Sequence, residues 1–188
     1  MKTAIEDLIH EHKAIQYALN ILEKMSERIE NNRDAKKSDI KSFLEFLKEF
    51  ADKCHHGKEE DFLFPALEKA GLKKEGGPIG AMLFDHTQGR NYIKQMQNSI
   101  LNNQVDRLLF VQASKDYISL MRSHIQKENN VLFPLVDIKL SDSEQNDLYE
   151  KFENHEENVI GKGRHEELHN ILETLAGKYL VLDKTAHH

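Results

Sequence analysis

The chain has 188 residues, 39% hydrophobic and 31% charged, with only 3 prolines and a formal net charge of −6. That is enough for one domain with a buried core and too apolar for a disordered segment. The net charge, and the lack of a basic stripe interleaved with aromatics, argue against nucleic acid or an anionic membrane as partner.

The N-terminal "MKTAIEDLIHEH" turns charged within six residues and lacks the apolar run of a signal peptide or membrane span, so a cytoplasmic location is expected. Over residues 3–31, Ile5, Leu8, Ile15, Leu19, Leu22 and Met25 recur as the apolar stripe of a helix. "NNRDAKKSD" interrupts it. A second helix is predicted over 37–70, through Ile40, Phe43, Leu44, Leu47, Phe62 and Leu63, with a kink or restart expected at Pro65. Its Cys54 is the single cysteine, so no disulfide framework exists within the chain. Cys54 reads as a small core hydrophobe, and adjacent helix residues do not face each other, which argues against a Cys54–His55 nucleophile.

Pro78 after Gly77 opens a third helix, which carries Ile79, Met82, Leu83, Ile93, Met96 and Ile100 and closes near 104. A fourth runs from about 106 to 139 through Leu109, Tyr117, Leu120, Met121, Val131 and Leu132. "SDSE" at 141–144 is a capping box for a fifth helix, "GKG" at 161–163 breaks it, and "RHEELHNILETLAGKYL" forms a short last one. The expected fold is all-α. An up-down-up-down four-helix bundle spans 1–140, and a C-terminal helical extension over 141–188 packs on it.

Two stretches repeat. "HHGKEEDFLFP" (His55 to Pro65) and "HIQKENNVLFP" (His124 to Pro134) share His, Glu four residues on, and Leu-Phe-Pro. One helix earlier in each case, a lone histidine sits on the apolar stripe: His12 between Leu8 and Ile15, His86 between Leu83 and Ile93. The separations are 43 residues from His12 to His55 and 38 from His86 to His124. With about 1.5 Å of rise per residue, all four histidines fall about 27–28 Å from their hairpin turns, on one level of an antiparallel bundle. Glu59 and Glu128 lie one turn on from His55 and His124 and point the same way.

A single histidine on an apolar face is usually a core residue. Four imidazoles and two carboxylates in one layer need a common partner, because buried carboxylates are rarely left unpaired. A metal supplies it. Six such ligands exceed one tetrahedral zinc and suit two ions bridged by the glutamates. Iron fits imidazole with carboxylate, as do zinc and manganese.

The expected metal ligands are therefore His12, His55, Glu59, His86, His124 and Glu128. His56, one position round the helix, either ligates, donates a hydrogen bond or faces solvent, with the last two preferred. Arg90 shares a face with His86 and cannot ligate; it is expected to bond a carboxylate or plug the site. Glu60 reads as a surface residue, and Glu11 and Asp85 are open between surface and site.

These residues resemble the hemerythrin-like, HHE cation-binding family over roughly residues 5–138. The pattern is a histidine on the first helix, His-x-x-x-Glu on the second, a histidine on the third and a His-to-carboxylate pair on the fourth. The resemblance implies a four-helix bundle holding a non-haem di-iron centre with carboxylate and oxo or hydroxo bridges. It implies a small diatomic or peroxide ligand, with oxygen binding, sensing or a response to nitric oxide, and a metal-storage or iron-sensing protein as the alternative. Oxygen carriers of the family have a second histidine four residues after the third-helix one. Arg90 stands there, which implies an open coordination position unless His56 fills it. Whether there is a protein partner is left open by the sequence.

"HEELH" at 165–169 matches the helical zinc-protease motif. Only Glu173, Asp183 and the terminal histidines follow as a third ligand, so surface or packing contacts, or a minor second metal site, are the better readings of His165 and His169. Glu166-x-x-His169 also imitates half of a ferritin-like motif, which would have to occur twice in the bundle.

Overall fold

The computed structural model describes residues 3–33 and 35–181, and every regular element among them is a helix. Helix α1 (Ala4–Glu30) starts at Thr3, whose hydroxyl accepts from the Glu6 N–H while the Glu6 carboxylate accepts from the Thr3 N–H. This reciprocal cap satisfies two otherwise orphaned donors. Helix α2 is continuous but of mixed pitch. It is α-helical over Lys37–Phe46, π-helical over Leu47–His56 and Glu59–Leu63, and α-helical again over Phe64–Lys69.

Helix α3 spans Pro78–Asn98. Helix α4 is α-helical over Arg107–Lys127, π-helical over Glu128–Leu132 and α-helical over Phe133–Lys139. Helix α5 (Asp142–His155) ends in a π-helical turn, Glu156–Ile160, and α6 spans Arg164–Tyr179. Ser141 and Glu144 form the expected capping box, and Gly161 and Gly163 take the positive φ (90° and 84°) that separates α5 from α6.

The restart expected at Pro65 does not occur. Leu63 (φ −66°, ψ −51°) and Phe64 (φ −64°, ψ −44°) keep helical backbone. A proline ring crowds the carbonyl four residues back and offers no N–H. Here the preceding turn widens instead, over Glu59–Leu63 before Pro65 and over Glu128–Leu132 before Pro134. Each repeated Leu-Phe-Pro is thus preceded by a π-turn that starts on the glutamate of the pair, the kind of irregularity that recurs at functional sites.

Helix α3 closes at Asn98, not near 104. The Ser99 hydroxyl donates to the Met96 carbonyl (2.6 Å), and the Asp106 N–H to the Ser99 carbonyl (2.7 Å), so the chain turns directly into the Asp106 cap of α4.

The apolar core has two parts. One gathers Ile15 and Leu19 of α1, Phe43 and Phe50 of α2, Met96 of α3 and Tyr117 of α4, and α6 adds Leu168 and Leu172. The other gathers Leu8, Phe64, Met82 and Phe133, and α5 adds Leu148 and Phe152. Burying each such side chain contributes about 1.5–3 kcal/mol. Along α1, α2 and α3 these histidines and glutamates fall in the sequence gap between the two parts; on α4 Glu128 does, while His124 sits one residue before Ile125, the last residue of the first part on that helix.

The added helices therefore share the core. Gly57 lets α5 approach α2: a Cβ there would lie 2.7 Å from His155 Nε2, which donates to the Lys53 carbonyl (3.0 Å). No described helix is long and apolar enough to cross a membrane.

Candidate metal centre

The structure brings His12, His55, Glu59, His86, His124 and Glu128 together, all 0–1% exposed. It adds His56, which is buried rather than facing solvent and stacks on His86 with ring centroids 3.8 Å apart. The donor atoms form two overlapping sets, His56–Glu59–His86–His124 and His12–His55–Glu59–Glu128, with all atoms of a set within 4.8 Å of one another. Glu59 belongs to both: Oε1 lies 3.7 Å from His55 Nε2 and Oε2 lies 3.3 Å from His86 Nε2. Glu128 Oε2 also spans them, 3.1 Å from His12 Nε2 and 3.3 Å from His124 Nε2.

The imidazoles share one orientation. Nδ1 turns outward to an oxygen: His12 to Asn129 (2.8 Å), His55 to Glu11 (2.8 Å), His86 to Glu60 (2.7 Å) and His124 to Asp85 (3.3 Å). His56 Nδ1 lies 3.5 Å from Asp52, beyond hydrogen-bond distance. A carboxylate or amide oxygen at Nδ1 fixes the proton there and leaves Nε2 with its lone pair directed inward. His86 Nε2 and His124 Nε2 face each other at 3.2 Å.

His55 Nε2, His56 Nε2, both Glu59 oxygens and Glu128 Oε1 are buried without a hydrogen-bond partner. So many inward lone pairs with so few protons form an acceptor-rich pocket, costly to bury without a cation. The donor set fits a metal.

The charges agree. Burial, reinforced by the facing Glu59, raises the Glu128 carboxyl to about 8. Burial would raise Glu59 too, but His55, His86 and His56 outweigh it and hold Glu59 below the usual carboxylate range. Burial pushes His12, His55 and His56 down. For His86 the Glu59 carboxylate 3.3 Å away and the bond to Glu60 overcome burial and raise it to about 9.

Sequence reasoning underestimated the supporting shell. Glu60, read as a surface residue, carries the Nδ1 bond of His86 and accepts from Arg90 (2.8 Å). Arg90 also donates to Asp52 (2.8 Å). It bonds carboxylates, as expected, from a 41% exposed position outside the donor cluster. Glu11 and Asp85 both belong to the site. Asn129 and Lys58 were not foreseen. Lys58 is fully buried and donates to Asp7 (2.8 Å), Glu11 (2.6 Å) and Glu156 (3.1 Å). Its ammonium ties Asp7, Glu11 and Glu156 into one buried ion-pair network. Burial pushes the Cys54 thiol far up, in keeping with a core residue. Aligning the two repeats was the one available signal, since a lysine precedes the glutamate in both.

Fold and site define an all-α helical bundle, with helices beyond the core four, built around clustered histidine and glutamate donors suited to metal binding. The chain belongs to the hemerythrin family: the Hemerythrin HHE cation binding domain matches residues 3–136. It is similar to uncharacterized proteins of Mycobacterium bovis and Mycobacterium tuberculosis, each 26% identical over 192 residues that cover 98% of this chain and 68% of the relative. No solved structure matches it.

Proposed function

We propose that His12, His55, His56, Glu59, His86, His124 and Glu128 hold two iron ions in an up-down-up-down bundle, and that the protein binds or reacts with a small oxidant in sensing or stress response. Dioxygen, peroxide and nitric oxide are the ligands in view. The observation that carries this reading is the pair of overlapping four-donor sets joined by Glu59. Seven nitrogen and oxygen donors exceed one tetrahedral zinc, and imidazole with carboxylate suits iron. Iron supplies the redox capacity; the chain supplies placement, proton control and exclusion of water.

Each residue has a stated task. Glu11, Glu60, Asp85 and Asn129 orient the imidazoles through Nδ1. Phe64 and Phe133 stack over His86 and His12 at 5.8 and 5.4 Å and keep that side of the layer apolar. His56 supplies the donor that Arg90 does not, so the open position implied by Arg90 is not part of this reading. Burial of every donor favours a small ligand over a large organic substrate.

The second reading is a metal store or iron sensor whose signal is its own stability. The observation in its favour is the buried Lys58, which ties Glu11, the support of His55, to Glu156 of α5. Loss of metal would then loosen the added helices, because folding and metal binding are coupled where ligands are buried.

Anomalous scattering from iron-loaded crystals tests the site: two peaks about 3–4 Å apart are expected, and a single peak or none rejects the two-ion reading. Stopped-flow spectroscopy of the reduced, iron-loaded protein mixed with oxygen tests the function. A rapid change in the near-ultraviolet and visible bands supports reaction with oxidant. A silent spectrum, with a large fall in helicity on chelation, supports the store or sensor.

A further inference from the structure

A second histidine group lies on the added helices, outside the two buried donor sets. His165 and His169 stand one turn apart on α6, with Nε2 atoms 3.3 Å apart and ring centroids 4.6 Å apart at 83°. His165 Nδ1 lies 3.3 Å from Glu156 Oε1, so a carboxylate faces the ring on the side away from His169 Nε2. Phe50 holds both rings, stacking on His165 and meeting His169 edge-on, each at 5.4 Å. The rings are thus fixed before any ligand arrives. The His165 side chain is 39% exposed, so the site is open to solvent. Burial, then the neighbouring His165 and His10, hold His169 below the usual histidine range. Glu166, the base that the zinc-protease motif would require between them, is exposed on the helix surface.

We propose that His165 and His169 form a separate, solvent-open site for a divalent transition-metal ion such as zinc, nickel or copper. Two imidazole nitrogens at i and i+4 provide the protein ligands, and water completes the coordination. Glu156 supports His165 from behind, in the manner of a carboxylate–histidine–metal arrangement. Imidazole without thiolate suits these ions and not magnesium or calcium. The site shares no ligand with the buried centre and does not rest on the reading given to that centre.

The test uses the full chain carrying its tightly bound metal, with His187→Ala and His188→Ala throughout, because adjacent histidines could bind the same ions. Zinc alone is the probe. Equilibrium dialysis against micromolar zinc, with elemental analysis, compares this protein with its His165→Ala/His169→Ala derivative. The expected result is one fewer zinc per chain in the derivative, with the tightly bound metal unchanged. An equal zinc count overturns the proposal. Histidine 15N spectra of zinc-loaded protein need no derivative. As zinc is raised further, the Nε2 resonances of His165 and His169 should shift ahead of the other histidines, and unmoved resonances overturn the proposal.

Discussion

The α1/α2 half and the α3/α4 half solve the same problem with the same parts. In each, the acid before the lone histidine accepts from the paired-helix histidine of its own half: Glu11 from His55, Asp85 from His124. In each, the lysine before the glutamate donates to that acid: Lys58 to Glu11, Lys127 to Asp85. The residue after the glutamate accepts from the lone histidine of the other half: Glu60 from His86, Asn129 from His12. The Phe of Leu-Phe-Pro stacks on that same ring.

The halves then diverge. α5 covers the first, so Lys58 is fully buried among three carboxylates, whereas Lys127 is 41% exposed. The first also contributes His56. One sequence device becomes a buried ion-pair network in one half and a surface pair in the other, because burial sets the penalty for breaking it.

The largest expected effect follows from that difference. Lys58→Met removes the cation buried between Glu11 and Glu156 and should cost about 3–5 kcal/mol, as does breaking a buried ion pair by removing one partner. Lys127→Met, at a partly exposed pair, should cost about 0–1 kcal/mol. Urea denaturation of both reads the contrast directly, and equal losses would erase it.

Protonation separates the halves next. Without metal, His86 (about 9) and Glu128 (about 8) hold protons at pH 7, while His12, His55 and Glu59 are held low. A cation must displace those two protons, so affinity should fall as pH drops below about 8, by up to roughly 1.4 kcal/mol per proton per pH unit. Above about 9 both protons are already lost and the dependence should flatten. Chelator competition across that range measures it, and a flat profile below 8 would contradict the assignment.

Removing an outer support should act in both halves. Asn129→Ala and Glu60→Ala each take the acceptor from a buried Nδ1–H and should lower metal affinity about 10–100-fold. Competition against a chelator of known affinity checks this. A response in only one half would show that the symmetry is geometric without being energetic. The smallest effect is expected at the α2–α5 contact. Gly57→Ala sets a Cβ against His155 and should cost about 1 kcal/mol, read as a lowered thermal midpoint; an unchanged midpoint would mean that His155 swings aside freely.

Much of this was legible in the linear chain. The helices, their starts at Ser141 and Pro78, and six inward donors follow from local spacing, because i and i+4 share a helix face whatever lies opposite. His56 was placed toward the edge of the site because an α-helix turns about 100° between neighbours. In the wider π-helical stretch Leu47–His56, both His55 and His56 are buried among the neighbouring helices. Pro65 was read as a break because the widened turn before it could not be seen from composition alone.

The amino-acid sequence by itself determined that six of the donors face inward and recur as two matching halves, since periodicity and repetition need no knowledge of neighbours. Only the tertiary structure decided the partners. Asn129 meets His12 across 117 residues, Glu60 meets His86 across 26, and Lys58 meets Glu156 across 98. Each pairing depends on which helices abut and on their rotation about their own axes. That rotation is set by the π-turns and by the core on either side, and so is a property of the packed assembly, not of any one segment.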